Sequence, residues 1–490
     1  METQRTSRVK TKYNDFSGGV QVYTSPLWLN DNETPYCQNV DVSRPGELRK
    51  AYGYSQLGTD TGGDSPRGIF VFDEEDGTST LFKVVDDALY KWSAGAWAEV
   101  SGGTSLATST DRIEAVLMYI NTGTGVGTGA DTFVERMYFT AGIDDDVKYT
   151  NGSTVGEIAN TYAKHIQVYK GRLYFGNVKQ GSNTYPTRVI YGGVSDDDFS
   201  NPDYIDELGE PITALKEYSG SLFIFSEDKL AAYDEYKLQV IPGSYGTTSS
   251  STVKDVLGRL VWYNLGGVFM YQGGGSPQNI SRRIQPWIEA VTDAEAVTAG
   301  VDGDDRYCLY IGDVTVDGTS HSDVVLRYDI TLNSWDILPD RPFKYWARER
   351  SGGVFNVYAS DVDNNKVWEV DSGRSLDGEA IESIWQSAKL DMGQPDTIKN
   401  FYKAHVVFKP SGASEYFTLQ YRLDGTAAWS NIGNTTSNVS VSGSDNIEVK
   451  QLEFPGNVQG RMIQFKLTHS SSGNGFNLYE LNINNDELRT

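Results

Sequence analysis

The residue types that perform acid–base, nucleophilic or metal chemistry are present in the sequence, but they are not arranged as a recognisable site. The four histidines, His165, His321, His405 and His469, lie in different segments, and none is spaced with Cys, Asp or Glu as metal ligands are. No Ser–His–Asp arrangement is recognisable either. The sequence therefore predicts no catalytic residue, no metal ligand and no cofactor, and the chain is expected not to be an enzyme.

Carboxylates are abundant, and a pair of them can hydrolyse a glycosidic bond when an apolar pocket raises the pKa of one member. The aspartate runs at 144–146 and 196–198 are consecutive and surrounded by polar residues. Such runs are typical of solvated turns, so we expect no hydrolase site in them.

The segment that begins at Asp361 has the alternating oxygen pattern of a calcium loop, with Asp363 and Asn365 following. Its sixth place lacks glycine and its twelfth is Ser372, where glutamate is wanted. A turn capped by Asx side chains is the expected structure. Cys37 and Cys308 are the only cysteines, so there is no disulfide framework and no thiolate zinc site.

The net charge of -24 arises from 66 acidic and 42 basic residues, with no basic cluster along the chain. Such a surface repels phosphate backbones, so tight nucleic-acid binding is not expected. The same charge suits a wall past which DNA slides without sticking, or solubility alone. No apolar run approaches the length of a membrane span, and we expect a soluble protein without a secretion signal.

Short apolar strands separated by Gly, Asp, Asn and Ser turns predict an all-β chain. One strand–turn–strand unit recurs, and its turn glycines Gly171, Gly220, Gly258 and Gly353 are 49, 38 and 95 residues apart. A period of about 40 to 50 residues is typical of propeller blades. Residues 67–387 are therefore predicted to form a β-propeller of six or seven blades, in which Trp97 and Trp335 pack between neighbouring sheets.

Different patterns flank the predicted propeller. Residues 388–490 contain five or more alternating strands with long polar turns, which indicate a C-terminal antiparallel β-sandwich. Residues 1–66 have few alternating strands and many turn residues, so they are expected to form an extended N-terminal arm. The arm docks either on its own propeller or on a partner.

Motifs in all three regions are similar to those of virion proteins of tailed bacteriophages and related archaeal viruses. In the arm, the resemblance lies in FSGGV, a leucine-containing stretch, an Asn-Val-Asp step and a Gly-x-Leu-Arg turn. It continues in GGVFMYQGG and the Ile-Ser step before a short helix, and in DMGQPDTIKNFYKAHVVF. The matching residues of the arm are Phe16, Gly18, Gly19, Leu27, Leu29, Asn39, Val40, Asp41, Gly46, Leu48 and Arg49.

The resemblance implies a structural protein of the virion, located in the tail, where such propellers form the nozzle or hub around the DNA exit channel. The implied partners are copies of the chain in a ring, namely a hexamer, together with other tail or adaptor proteins and genomic DNA that passes without tight binding, and no membrane-spanning segment is expected. The candidate assembly interface consists of Phe16, Leu27, Trp28 and Leu29. Deletion of the arm through Tyr54 is then expected to leave a folded propeller.

The alternative is a receptor-binding tail protein that recognises glycans on the host surface. Its aromatic platforms would be Tyr421 and Trp429 in the C-terminal region. The other interpretation of these two rings is packing within the sandwich. A closed oligomer favours the first function, and saccharide binding by the isolated protein favours the second.

Overall fold

The computed structural model describes residues 8–487, except 26, 60–65, 75–76, 101–105, 108–110, 124–131, 411–414, 434–437 and 442–446. Almost all of its regular structure is β. The N-terminal segment forms seven short strands: β1 (Arg8–Tyr13), β2 (Gly19–Val20), β3 (Glu33–Thr34), β4 (Cys37–Gln38), β5 (Val40–Asp41), β6 (Leu48–Lys50) and β7 (Tyr54–Gln56).

The predicted β-propeller is confirmed, and its first half consists of a four-stranded sheet followed by a seven-stranded one. The four strands are β8 (Pro66–Asp73), β9 (Ser79–Val85), β10 (Ala88–Ser93) and β11 (Ala96–Glu99). The seven are β12 (Ala115–Asn121), β13 (Phe133–Phe139), β14 (Gly142–Thr150), β15 (Val155–Tyr169), β16 (Arg172–Gln180), β17 (Asn183–Tyr191) and β18 (Asp203–Ile205).

The second half of the propeller contains four sheets of four strands. The first consists of β19 (Ala214–Tyr218), β20 (Ser221–Phe225), β21 (Leu230–Tyr233) and β22 (Leu238–Ile241). The second consists of β23 (Lys254–Val256), β24 (Arg259–Asn264), β25 (Gly267–Tyr271) and β26 (Gln278–Asn279). The third is β27 (Thr298–Val301), β28 (Tyr307–Val316), β29 (Thr319–Asp329) and β30 (Ser334–Leu338). The last contains β31 (Trp346–Ser351), β32 (Val354–Ser360) and β33 (Val367–Val370), with β7 as its fourth strand.

The recurring turn glycines connect the first and second strands of a unit. Gly220 has φ 78° and the preceding Ser219 has φ 51°, so both central residues of this hairpin lie in the left-handed region. Two-residue turns of this kind match the right-handed twist of the strands, and glycine adopts the required angle without strain. Gly171, Gly258 and Gly353 take positive φ at the corresponding hairpins. The spacing of these turn glycines therefore gives the period of the structural repeat.

The seven-stranded sheet results from one long strand that serves two units. The first part of β15 pairs with β14, and its last part, up to Tyr169, pairs with β16. Asn160, between them, has φ 60°, which marks an irregularity in the strand. The described residues thus give six sheets, or seven four-stranded units if this sheet is divided within β15.

The N-terminal strand β7 completes the last sheet of the propeller. Its residues Tyr54, Ser55 and Gln56 pair antiparallel with β33. Tyr54 also packs against Trp368 with the ring centroids 4.9 Å apart. A strand from the beginning of the chain therefore closes the ring of sheets, so the propeller cannot close through residues 67–387 alone.

A short helical segment follows the fourth of the six sheets, where the apolar spacing predicts one helical face. It contains a 3-10 turn (Arg282–Ile284) and helix α1 (Gln285–Glu289). Ile284, Trp287 and Ile288 are buried, as that spacing requires. The C-terminal strands are β34 (Ile381–Gln386), β35 (Lys399–Pro410), β36 (Glu415–Leu423), β37 (Ser430–Asn431), β38 (Asn438–Val441), β39 (Glu448–Gly460), β40 (Ile463–Ser471) and β41 (Phe476–Glu487).

Both sheets of the C-terminal sandwich contain N-terminal strands. One sheet has the order β39-β35-β41-β6-β5, with β1 also paired to β41, and the other has the order β37-β36-β40-β34-β4 with β38 paired to β36. A single apolar core joins this sandwich to the propeller, since Trp287 and Trp335 belong to the same cluster of buried side chains as Trp385 and Phe465.

The N-terminal segment is therefore not an arm separate from the other two regions. It supplies strands to the sandwich, and β7 to the propeller. This topology argues against the expectation that deletion through Tyr54 leaves a folded propeller, because the deletion removes Tyr54 of β7 and the N-terminal strands of the sandwich. These strands contain two to six residues each, and β1, β4, β6 and β7 pair with strands hundreds of residues away, so periodicity in the sequence did not indicate them.

Candidate functional site

The four residues proposed as an assembly interface have different environments. Phe16 is only 1% exposed and packs against Tyr13 and Trp385, each at 5.3 Å between ring centroids. Leu29 is partly buried against the same core. Leu27 and Trp28 are 55% and 81% exposed. The chain itself buries Phe16, so only Leu27 and Trp28 present an accessible apolar surface.

Leu27 and Trp28 lie in a loop that is ordered by its own backbone. The amide of Trp28 donates to the carbonyl of Ser25 at 2.8 Å. Leu27 borders a cavity of about 410 Å³ whose other walls come from the sandwich, including Arg422, Asp424 and Met462. Tyr23, at the other end of the loop, is exposed as well. We refer to the described residues 23–25, 27 and 28 as the aromatic loop.

The two aromatic residues considered for glycan binding are not free platforms. Tyr421 is 7% exposed and packs edge-on against Phe454 at 5.1 Å between centroids. Trp429 is partly buried, and the guanidinium of Arg422 lies over its ring at 4.5 Å. Burial and this cation–π contact occupy the surfaces on which a sugar ring would stack.

The carboxylate runs are less solvated than the sequence predicts. Asp197 accepts hydrogen bonds from Arg136 at 2.7 Å and from the Tyr138 hydroxyl at 2.8 Å. Asp145 lies 2.9 Å from the ammonium of Lys148. The solvated-turn expectation is therefore wrong for Asp197 and Asp145. Asp144 is exposed and paired with a surface lysine.

The calcium-like segment forms the expected Asx-capped turn. Asp361 Oδ1 accepts the amides of Asp363 and Asn364, both at 3.0 Å, and its Oδ2 accepts the indole N–H of Trp368 at 2.9 Å. Within the described ranges, no group of three or more His, Cys, Asp or Glu side chains is arranged to hold a metal ion.

A cavity of about 550 Å³ lies on the propeller axis. Residues from the first strand of every unit line it, including Phe70 of β8, Ala115 of β12, Gln167 of β15, Lys216 of β19 and Lys254 of β23. Ala299 of β27 and Ala347 of β31 complete the ring. We call this space the axial chamber. Its volume is in the range of small-molecule sites, not of a passage for duplex DNA.

Glu114 is the central hydrogen-bond acceptor of the chamber wall. Its carboxylate lies 2.7 Å from Arg112 and 3.0 Å from His165 Nδ1, and the hydroxyl of Ser250 donates to it. Burial alone would raise the pKa of Glu114, but the contacts with His165, Arg112 and Ser250 outweigh it and lower this pKa to about 2. Serine and histidine both bind the carboxylate here, whereas a catalytic triad places histidine between the other two.

Lys216 and Lys254 enter the chamber from neighbouring sheets. Burial lowers the pKa of Lys216, although the carboxylates of Asp255, Glu217 and Glu114 act in the opposite direction. Burial also lowers the pKa of Lys254 to about 7, and the charges of Lys216 and Arg112 add to this decrease. The sequence prediction missed this chamber. A usable signal existed, because Gln167, Lys216 and Lys254 each precede a turn glycine by four residues.

The Asn-Val-Asp step and the following arginine form a buried charge cluster between the propeller and the sandwich. The carboxylate of Asp41 lies 2.8 Å from Arg49, 3.3 Å from Arg306 and 3.8 Å from Arg327. Burial opposes ionisation of Asp41, but the three guanidiniums hold its pKa well below the usual range. Asn39 has φ 51°, and its backbone N–H donates to the carbonyl of Ile337 at 2.9 Å. These motif residues therefore have structural roles inside the chain.

No protein-family model matches the sequence, and no curated protein matches it. Similar solved structures include the WD40 β-propeller domain of Doa1, with 9% identity, a TM-score of 0.40, and coverage of 66% of this chain and 98% of that one. BamB from Moraxella catarrhalis has 10% identity, a TM-score of 0.38 and coverage of 66% and 98%. Virginiamycin B lyase from Staphylococcus aureus has 10% identity, a TM-score of 0.40 and coverage of 65% and 98%.

The likeness to these proteins concerns the propeller fold alone, and the sheet topology of this chain establishes that fold independently. In the part of the chain that the structure describes, no helix is both long and apolar enough to cross a membrane.

Proposed function

We propose that the chain is a non-enzymatic structural protein of a virus particle, located in the tail. In this proposal, it forms the nozzle or hub as a ring of copies around the DNA exit channel. The observation that carries the proposal is the exposure of Trp28 and Leu27 in a segment whose other motif residues are buried or partly buried. Exposed apolar patches of this kind typically mark sites of protein contact.

Strand pairing between distant segments of the chain supports a structural role. N-terminal strands pair within the sandwich and the propeller, and one continuous core joins the two. Lys50 reinforces the junction, since its buried ammonium donates to the carbonyls of Arg374, Ser471 and Asn474 at 2.6 to 2.9 Å. A unit held in this way transmits force without rearranging, as a tail component must.

The proposed DNA path lies between copies and not through a propeller, because the axial chamber has a volume of only about 550 Å³. The net charge of -24 per copy favours a path wall to which DNA does not adhere. The aromatic loop would contact a neighbouring copy or an adaptor protein of the tail, and that contact would bury the Trp28 indole.

Native mass spectrometry of the purified full-length chain tests the proposed assembly. We expect a species of six times the chain mass of 54.1 kDa for the unaltered protein. The double variant Leu27→Ser/Trp28→Ser should be a monomer, because it removes the exposed apolar side chains and leaves the core intact.

The matched control is Tyr236→Ser, which changes another highly exposed aromatic side chain far along the chain in a propeller hairpin. This variant should assemble like the unaltered protein. A chain that remains monomeric at every concentration tested, or a ring that persists in the double variant, would overturn the proposed role of the aromatic loop.

A further inference from the structure

Two lysines in the axial chamber have no function in the fold or in the proposed assembly. Lys216 is in β19 and Lys254 begins β23, the first strands of two successive sheets, and both line the chamber. Each lies four residues before the glycine of its hairpin, in the segments KEYSG and KDVLG. The repeat thus places two ammonium groups at equivalent positions facing one space.

Neither ammonium has a hydrogen-bond or ion-pair partner among the described residues, although both residues are partly buried. An unpaired charge in such a place is costly, and charged groups in protein interiors are normally paired. The charge of Lys254 is further opposed by the neighbouring charges of Lys216 and Arg112. Both unpaired positive charges therefore lie in one chamber of a protein whose net charge is -24.

The carboxylates nearest in sequence are engaged elsewhere. Glu217 accepts the amide of Gly220 at 3.2 Å, and Asp255 accepts the amide of Gly258 at 3.0 Å, so both cap hairpin turns. Successive residues of a strand face opposite sides of the sheet, so each acid lies on the face opposite the lysine that precedes it, although the charges of both acids still act on Lys216. Two acids line the chamber wall: Glu114 already binds Arg112, His165 and Ser250, and Asp73 accepts the hydroxyl of Ser79.

We propose that the axial chamber is an oxyanion-binding site in which Lys216 and Lys254 bind a doubly charged phosphate group. Two ammonium groups match the charge of a phosphate dianion, and lysine binds phosphate as a point charge. The chamber of about 550 Å³ accommodates inorganic phosphate and also a small organic phosphomonoester. Both possible ligands carry the phosphate group that the two lysines would bind. The proposal does not depend on the proposed tail assembly.

Isothermal titration of the full-length protein with inorganic phosphate, glycerol 3-phosphate and glycerol tests this proposal. Both phosphates or one of them should bind, and glycerol should not. Tighter binding of glycerol 3-phosphate would identify an organic phosphomonoester as the ligand, and tighter binding of inorganic phosphate would identify the free ion. The double variant Lys216→Met/Lys254→Met should lose at least about tenfold in affinity, since it removes both charged donors to the phosphate.

The matched control is Lys237→Met, an exposed lysine beside β22 in the same sheet as Lys216. It should bind like the unaltered protein. The double variant should unfold at the same or a higher temperature than the unaltered protein, because it removes two unpaired charges from a partly buried space. A loss of binding in a protein of unchanged stability assigns the effect to the site.

Proton uptake provides a readout that a structural role of the lysines would not change. A bound phosphate stabilises the charged form of Lys254, so binding near about pH 8.5, where free phosphate is already almost wholly the dianion and Lys254 is mostly uncharged, should take up protons. The other charged groups that line the chamber are Asp73, Arg112, Glu114, Lys216 and Arg348, and His165 lies behind Glu114. Titrations in two buffers of different ionisation enthalpy measure the uptake, which Lys254→Met should abolish.

The proposal is overturned if neither phosphate binds at about 10 mM, which corresponds to less than about 3 kcal/mol of binding free energy. It is also overturned if the double variant binds as tightly as the unaltered protein, or if phosphate binding causes no proton uptake.

Discussion

Replacement of Asp41 by asparagine should destabilise the protein through the buried charge cluster, and the size of the effect follows from the contacts. The side chain of Asp41 is completely inaccessible and contacts Arg49, Arg306 and Arg327. Arg306 would retain Asp302 at 2.7 Å, and Arg327 would retain Asp336 at 2.8 Å. The exchange keeps the shape of residue 41 and removes its charge.

Arg49 is the guanidinium that the exchange leaves uncompensated, because Asp41 is its carboxylate partner among the described residues. Breaking a buried ion pair by removing one partner costs about 3–5 kcal/mol. A response of Asp336 reduces this cost. Its pKa is raised to about 6, by burial first and also by the charge of Asp41, so loss of that charge lets Asp336 ionise more fully. We therefore expect a decrease in unfolding free energy of about 3 kcal/mol.

Urea unfolding followed by tryptophan fluorescence measures this loss as a shift of the midpoint at constant slope. The control Asp203→Asn, at an exposed position of the edge strand β18, should change stability by less than about 0.5 kcal/mol. Adding Arg49→Met to Asp41→Asn should recover more than half of the loss, since it removes the uncompensated charge. A stability of Asp41→Asn equal to that of the control, or a double variant less stable than the single one, would refute this reasoning.

Three further predictions concern the chain as a whole. Deletion of residues 1–56 should abolish cooperative unfolding in calorimetry, because it removes β7 and four sandwich strands; a sharp transition in the truncated protein would contradict this topology. The folded-state pKa of Glu114, about 2, lies below its usual value, so its stabilisation is present at neutral pH and lost as the pH falls from about 4.3 toward 2. Glu114→Gln should therefore lower the melting temperature at pH 7 more than near about pH 2, and an equal loss at both would contradict the ion-pair interpretation. The net charge of -24 should prevent retardation of duplex DNA in a gel at about 0.15 M salt, and a retarded band would contradict a non-adhesive surface.

The propeller hairpins could be predicted from the sequence because their signals are local. Gly220 and Gly258 mark two-residue turns with positive φ, and apolar strands lie on both sides. The packing of Trp335 between sheets also followed from its type, and its indole N–H donates to the carbonyl of Ile280 in the preceding unit at 3.0 Å. Turn chemistry and aromatic size do not depend on distant partners.

The N-terminal strands and the axial chamber could not be predicted in the same way, because both depend on non-local contacts. β4 has two residues, and it becomes a strand only by pairing with β34, more than 340 positions later. Lys216 and Lys254 are each followed by an acid, so the sequence alone suggests ordinary solvated charge pairs. Only the arrangement of the first strands around one axis brings the two lysines to the same cavity.

The location of the chain in a virus particle is the central claim, and immunogold electron microscopy tests it most directly. An antibody raised against the purified full-length protein would be applied to intact particles from the source of the sequence. The proposed function predicts gold at the end of the tail, and none on particles treated with antibody that has been absorbed with the protein. Gold distributed over the capsid, or particles that contain no labelled protein after disruption, would contradict the proposed tail function.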